Sequence, residues 1–326
     1  MDGRCVIGID SGGSHTRALC VGLDGRVLGG ATTGGGSPTH NADARDHVRG
    51  AIGAALASAG MSPVDVLSLA AGMAGFEDET DREWAQDFVG VEGLDCPLSL
   101  VNDAVVAQVG AFAGDPGIIV VAGTGSMILG ISEAGEHITN DHYNHYAGGA
   151  RHLSFHAMAR LLVEEHNEAD APFVQRIFDY WNVSDRQALR QRVLALRAVD
   201  RNEVKRFYGG IAPLVTGYAE QSPLAAESCC WLVGVTGVGI RLLAGHFVAE
   251  TVHVALEGGL ATSPAFAARI TTELVESTAG RIQIAPALLD PAAGAVLIAL
   301  QQAGIDSDNT IIERLRTSNR PTSLRQ

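Results

Sequence analysis

Two short loops have the composition to meet an anion. Asp10, Ser11, Gly12, Gly13 and Ser14 follow the apolar run CVIGID, and Gly123, Thr124, Gly125 and Ser126 follow GIIVVA. Glycines let backbone N–H groups approach a phosphate with no Cβ in the way. Either loop alone is also an ordinary hairpin turn, but two in equivalent places are a stronger signal, because a cleft between duplicated domains is where a nucleotide can be clamped. Asp10, at a strand end, is placed to hold Mg2+ directly or through water; it would equally serve to close the turn. A third cluster, Asn102 and Asp103, follows LSLV and opens a helical stretch. A carboxylate there leaves a strand at its C-terminal end, where α/β proteins place ligands. Asp is also a good helix N-cap and would stand at such a junction without any catalysis.

The elements that position these clusters follow from hydrophobic patterning. CVIGID, TRALCVGL and VLGGAT read as three short strands joined by a Gly-rich turn and an Asp-Gly turn. The same order recurs later as GIIVVA, MILGIS and HIT, an internal repeat that predicts two related domains. Between the copies the pattern predicts a helix over 43–59, a strand over 66–73, a helix over 81–89, a strand over 98–101 and a helix over 104–113. This alternation makes the chain α/β with a largely buried sheet. The second half reads as more helical, over 155–165, 185–198, 203–221 and 223–244. Strands at 252–256 and 281–285 and a closing helix at 291–302 follow.

Composition excludes several functions. Asp plus Glu is 37 against 23 for Lys plus Arg, a net charge of −14. No basic run is present, which argues against a nucleic-acid partner. Of the 23 basic residues only Lys205 is lysine. It lies in the polar stretch DRNEVKRFY, so neither a P-loop lysine nor a Schiff-base amine is expected. The five cysteines (Cys5, Cys20, Cys96, Cys229, Cys230) contain no CxxC pair and read as reduced thiols of a cytoplasmic protein. MDGRCVIGID enters a strand at once, without the apolar run of a signal peptide. The most apolar stretch, WLVGVTGVGI, stops at Arg241, short of a membrane span.

VIGIDSGGSHTRALCVGLDGRVL, AAGMAGF, VNDAVVAQVGA, GIIVVAGTGSM, ALEGGLATSPAF and PAAGAVLIAL stand in an order and at separations that resemble the N-acetylglucosamine kinase branch of the BadF/BadG-type ATPase family. That family belongs to the sugar kinase, actin and heat-shock chaperone superfamily. The resemblance implies two actin-like (ribonuclease H-like) α/β domains with an interdomain nucleotide cleft. Together with the repeat it sets an N-terminal domain over 1–115 and a more helical one over 116–289, with residues 290–326 packing back on the first. The implied activity is ATP-dependent phosphorylation of the primary hydroxyl of an amino sugar, such as N-acetylglucosamine or glucosamine, or a close analogue. Residue by residue, Asp10 would organise Mg2+, while Gly12, Gly13, Ser14 and Thr16 form the first phosphate loop. Gly123, Thr124, Gly125 and Ser126 would form the second, Gly258 and Gly259 would lie against the nucleoside, and Asp103 would be the general base. The implied cofactors are ATP and Mg2+, the partner is a sugar, and the assembly is a homodimer.

The chain departs from the family pattern in places. DSGGSHT stands where DGGGTKT is usual, with Ser11 for Gly and His15 for Lys. Near the sugar the chain offers Thr39, His40 and Asn41, with Asn102 and Asp103. Where relatives carry a GDEGS segment whose Asp binds sugar hydroxyls, this sequence has Gly149, Ala150, Arg151 and His152. Arg and His suit an anion, so a modified sugar, cyclitol or sugar acid is one reading and misalignment, with Asp141 taking over, is the other. The same region holds His137, His142, His145, His152 and His156. His152 and His156 are spaced to share a helix face, yet HLSFH lacks the Glu of HExxH, so solvated or acceptor-binding histidines are expected. Trp84, Trp181 and Trp231 read as packing residues, and SDNTIIERLRTSNRPTSLRQ as a frayed tail. Alternatives to a kinase are a nucleotide-dependent ATPase, although no cysteines are spaced for a cluster, or a non-catalytic sugar sensor of the same fold.

Overall fold

The computed structural model describes residues 3–123, 125–163, 167–199, 204 and 207–318. The chain forms two compact units, one from the residues up to Gly117 together with those from Pro286 onward, the other from Ile118–Ala285.

In the first unit β1 (Cys5–Ser11), β2 (His15–Gly22) and β3 (Val27–Gly34) form an antiparallel meander. β4 (Val66–Met73) and β5 (Leu98–Val101) continue the sheet in parallel on the other side of β1, giving the order β3-β2-β1-β4-β5. β1 and β4 are nearly unbroken apolar runs because both faces are covered. On one face Ile7, Ile9 and Leu69 meet α1 (Ala44–Ala59) and α2 (Arg82–Val89) through Val48, Ile52 and Val89. On the other, Val6, Leu19 and Ala70 meet α3 (Asp103–Phe112) and the closing helix Pro291–Gln302 through Val106, Val296 and Leu300. An Arg17–Asp290 ion pair joins β2 to the start of that helix, and Asp290 caps it by accepting from Ala293 N at 2.9 Å.

The second unit repeats the plan. β6 (Gly117–Ala122), β7 (Ser126–Ile131), β8 (His137–Thr139), β9 (Val252–Glu257) and β10 (Ile282–Ile284) stand in the order β8-β7-β6-β9-β10. β9 runs parallel to β6 and β10 parallel to β9, while β8 is antiparallel to β7. Each sheet thus places its third, second, first, fourth and fifth strands in the same sequence, the topology that the repeat predicts. Around this sheet α4 (Ala150–Leu162), α5 (Ala171–Trp181), α6 (Arg186–Ala195), α7 (Ala212–Gly217), α8 (Pro223–Ala244) and α9 (Pro264–Ser277) bury a single cluster that includes Leu153, Phe173, Ile177, Leu232, Ile240 and Phe266.

Several sequence expectations need correction. α4 starts at Ala150 rather than 155. The 185–198 helix ends as a 3₁₀ turn, Leu196–Ala198. The predicted 203–221 helix is helical at 204, at 207–209 and over Ala212–Gly217, with a turn at 210–211 and a proline in the first turn of the last piece; Lys205 lies outside the described residues. α5 and α9 are additional helices. The tail is not frayed throughout, because Asn309–Ser318 is a helix that buries Ile311 and Leu315. α8 is long and apolar enough to cross a membrane, contrary to the reading of WLVGVTGVGI, but 56% of its most apolar window is buried inside the protein. Its apolar length reflects packing on the second sheet's core.

Candidate active site

The first unit gathers its candidate residues at the C-terminal ends of β1, β4 and β5. Asp10 is half-buried and paired in register with Arg17 and Gly72. The hairpin beyond it closes when Gly12 N donates to His15 O at 2.9 Å, leaving Gly13, Ser14 and His15 exposed. Thr16 points inward, fully buried, with its Oγ1 3.4 Å from Ser11 Oγ, so it braces the loop from behind. A second segment crosses this loop: Gly36 N donates to Gly12 O at 3.0 Å and Asn41 Nδ2 to Gly13 O at 3.0 Å. Asn41 therefore supports the first loop. Beside it, His40 Nδ1 lies 3.0 Å from Ser37 Oγ and 2.9 Å from Thr39 Oγ1, so Thr39 and His40 form one hydroxyl–imidazole cluster. Ser37 was not legible as its third member.

Asp103 is the first residue of α3. Asn102 is the N-cap, its Oδ1 accepting from Ala104 N at 2.9 Å and its Nδ2 donating to Phe76 O at 2.9 Å. Both ends of the Asn102 side chain thus serve the fold, and they tie the loop after β4 to the helix start. Asp103 itself is half-buried. Burial pushes its carboxyl up to about 6, opposed by the Ala104 N–H and reinforced by the charge of Glu77. A carboxylate poised near neutrality at a strand terminus has the properties of a general base. The Glu77 contribution had no sequence signal, since it depends on where the β4 loop turns.

The second unit presents the matching ends of β6 and β9. Gly123 N donates to Gly125 O at 2.9 Å, which shapes the loop; Thr124 lies outside the described residues. Ser126 begins β7, half-buried. The loop is backed by the start of α4: Ala150 N donates to Gly123 O at 2.8 Å, and a Cβ on Gly149 would lie 2.6 Å from Gly125 O. Gly149 thus sits where no side chain fits. Gly258, at φ +91, lies against the end of β6, where a Cβ would be 2.6 Å from Ala122 O. The Ala122 carbonyl accepts from Leu260 N and Ala261 N, both at 3.1 Å. Gly259 has open space beside it.

Arg151 and His152 are brought together with Tyr146, a residue the sequence did not single out. Gly149 N lies 3.1 Å from His152 Nδ1 and Tyr146 Oη 2.7 Å from His152 Nε2. Arg151 Nη2 donates to the same Oη at 3.2 Å, and its Nε is 3.0 Å from the imidazole. Burial and the neighbouring guanidinium lower His152 to about 4, so it is neutral. His156 is elsewhere, bonded to Ser228 Oγ at 3.1 Å and stacked on Trp231. Among the described residues no three His, Cys, Asp or Glu side chains are grouped to hold a metal. Asp141 is exposed and next to Asn140, whose amide donates to it at 3.2 Å.

Two five-stranded α/β sheets of one topology, each with a Gly-rich hairpin at the end of its first strand, define an actin-like two-domain protein. The chain belongs to the BadF/BadG/BcrA/BcrD ATPase family, which it matches over residues 7–169. An N-acetylmuramic acid/N-acetylglucosamine kinase from Clostridium acetobutylicum is 30% identical over 149 residues, which are 44% of this chain and 48% of that protein. The match therefore spans about half of the relative's length. Among solved structures, a candidate N-acetylglucosamine kinase from Chromobacterium violaceum is similar over 90% of this chain and 98% of its own, with TM-score 0.71 and 24% identity. A ROK family glucokinase from Streptomyces griseus in complex with glucose and AMPPNP is similar over 91% of this chain and 99% of its own, with TM-score 0.58 and 19% identity. At these identities the solved structures speak for the fold.

Proposed function

We propose that this protein is an ATP-dependent sugar kinase that transfers the γ-phosphate to the primary hydroxyl of an amino sugar, such as N-acetylglucosamine or glucosamine, or a close analogue. The observation that carries the reading is Asp103: a half-buried carboxyl with a pKa of about 6, fixed at the end of β5 by the Asn102 cap. As the acceptor oxygen bonds to the γ-phosphorus and the bond to the ADP oxygen breaks, the hydroxyl proton passes to Asp103. Phosphoryl transfer depends mainly on positioning and charge neutralisation, and the backbone amides of the exposed residues Gly13 and Ser14 are of a kind suited to both.

Asp10 is the residue that would hold Mg2+. A single carboxylate fits this ion, which keeps several waters and takes one or two carboxylates beside the phosphates. When bound it supplies positive charge to the phosphate chain. The similarity to the Clostridium acetobutylicum kinase and the family membership support the reading, and a cytoplasmic homodimer goes with it.

The test is ADP release from Mg-ATP against a panel of N-acetylglucosamine, glucosamine, glucose, N-acetylmuramic acid, sugar acids and cyclitols, with Asp103→Asn in parallel. Acceptor-dependent turnover that the mutant loses is the expected result. Hydrolysis independent of any acceptor would point to an ATPase instead, and binding without turnover to a sensor.

A further inference from the structure

We infer that Arg151 is a specificity residue for a carboxylate, or an equivalent oxyanion, carried by the acceptor. The inference rests on the kinase reading and adds the chemical class of the acceptor to it.

Three observations support it. The first is the state of the guanidinium. Arginines in this acidic chain commonly face carboxylates, as in Arg49–Asp87, Arg160–Glu227, Arg269–Glu220 and Arg314–Asp24. Arg151 has no carboxylate within ion-pair distance among the described residues. Its contacts are the Tyr146 hydroxyl and the neutral His152 ring, neither of which compensates its charge. The second is rigidity. The guanidinium is half-buried and held at two points, Nη2 on Tyr146 Oη and Nε on His152 Nε2, while the His152 ring is itself 3.1 Å from Gly149 N and 2.7 Å from Tyr146 Oη. An arginine fixed in this way is suited to two-point recognition of a planar oxyanion. The third is position. Arg151 and His152 lie in the first turn of α4, whose N-cap Gly149 and first residue Ala150 pack against Gly125 O and Gly123 O. Exposed Tyr146 and Phe155 border the same spot and offer ring faces and edges to the body of a sugar.

The oxyanion could also be a phosphate of ATP, and the experiment separates the two sources. The probes are N-acetylmuramic acid and its methyl ester, which lacks the negative charge and carries one added methyl group, together with N-acetylglucosamine. Binding of each is measured calorimetrically and turnover by ADP release, for wild type, Arg151→Ala, Arg151→Lys and Tyr146→Phe. Wild type is expected to prefer the acid over the ester. Arg151→Ala should lower acid affinity about 10- to 100-fold, the loss typical of a charge-assisted hydrogen-bonded pair, and leave the ester and the KM for ATP unchanged. Arg151→Lys and Tyr146→Phe should give smaller losses confined to the acid. An equal loss for all three acceptors, a rise confined to the KM for ATP, or no preference of wild type for the acid would overturn the assignment. Calorimetry reads binding without turnover, so preferential binding of the acid with no phosphorylation would refute the kinase reading and leave Arg151 standing as the anion contact.

Discussion

Asn102 reaches in two directions at once: its amide donates to Phe76 O and its carbonyl oxygen accepts from Ala104 N, both at 2.9 Å. Asp103 is therefore oriented by its neighbour. Asn102→Ala should destabilise the protein by about 1–2 kcal/mol in urea unfolding, the usual cost of a lost cap, and lower kcat while leaving the KM for ATP near wild type. Asn102→Asp keeps the cap but loses the donor to Phe76, so it should recover stability without recovering full activity.

As a base Asp103 works only when ionised. The rate should therefore fall as pH drops through about 6 and level off above it. Asp103→Asn should lower kcat by about 10²–10⁴ above pH 6, lose the inflection near 6, and show a smaller deficit as the pH falls below it. An inflection that persists in the mutant would assign it to another group.

The same carboxyl links stability to pH. Its pKa is about 6 when folded and about 4 in the unfolded chain, so between these values the folded state holds the extra proton. Stability is greatest below pH 4 on this account, declines as pH rises to 6, and stays reduced above it. Asp103→Asn cannot ionise and should exceed wild type at pH 8 by up to about 3 kcal/mol, the difference vanishing below pH 4. Denaturant unfolding at the two pH values measures it. A catalytic group that weakens the fold is a familiar trade between activity and stability.

Gly258 combines a left-handed backbone with contact against Ala122 O. Gly258→Ala adds both strain and overlap, and should cost about 1–3 kcal/mol with a raised KM for ATP. Gly259→Ala, in open space, should change stability by less than about 1 kcal/mol and serves as the control.

Leu300 is fully buried between the closing helix and the first sheet. Leu300→Ala should destabilise by about 2–5 kcal/mol, which thermal unfolding would show, although the residue is remote in sequence from β1 and β4.

The sheets were legible because their strands are apolar runs punctuated by Gly and Asp-Gly turns, signals that act locally. β4 was read to its exact ends, Val66–Met73. α5 and α9 carry buried residues at helical spacing, Phe173, Ile177 and Trp181 in one and Phe266, Ile270 and Leu274 in the other. That spacing was present in the sequence, but polar neighbours diluted it. The candidate site divides the same way. Asp10, Asp103 and the Gly-rich loops announce themselves by type and position. Tyr146, Ser37 and Glu77 do not, because their parts depend on which loop folds over which, and no local pattern encodes that.

The closing helix has a consequence for how the protein is made. Its residues Val296 and Leu300 complete one face of the sheet that begins at Cys5, whereas the second unit is a single continuous stretch. A ribosome delivers the strands of the first unit early and their covering helix nearly two hundred residues later. On the nascent chain the second unit can fold while the first still exposes Val6, Leu19 and Ala70. A message truncated before residue 291 would therefore yield a chain with a persistently sticky sheet, a substrate for chaperones and proteases and not a smaller enzyme.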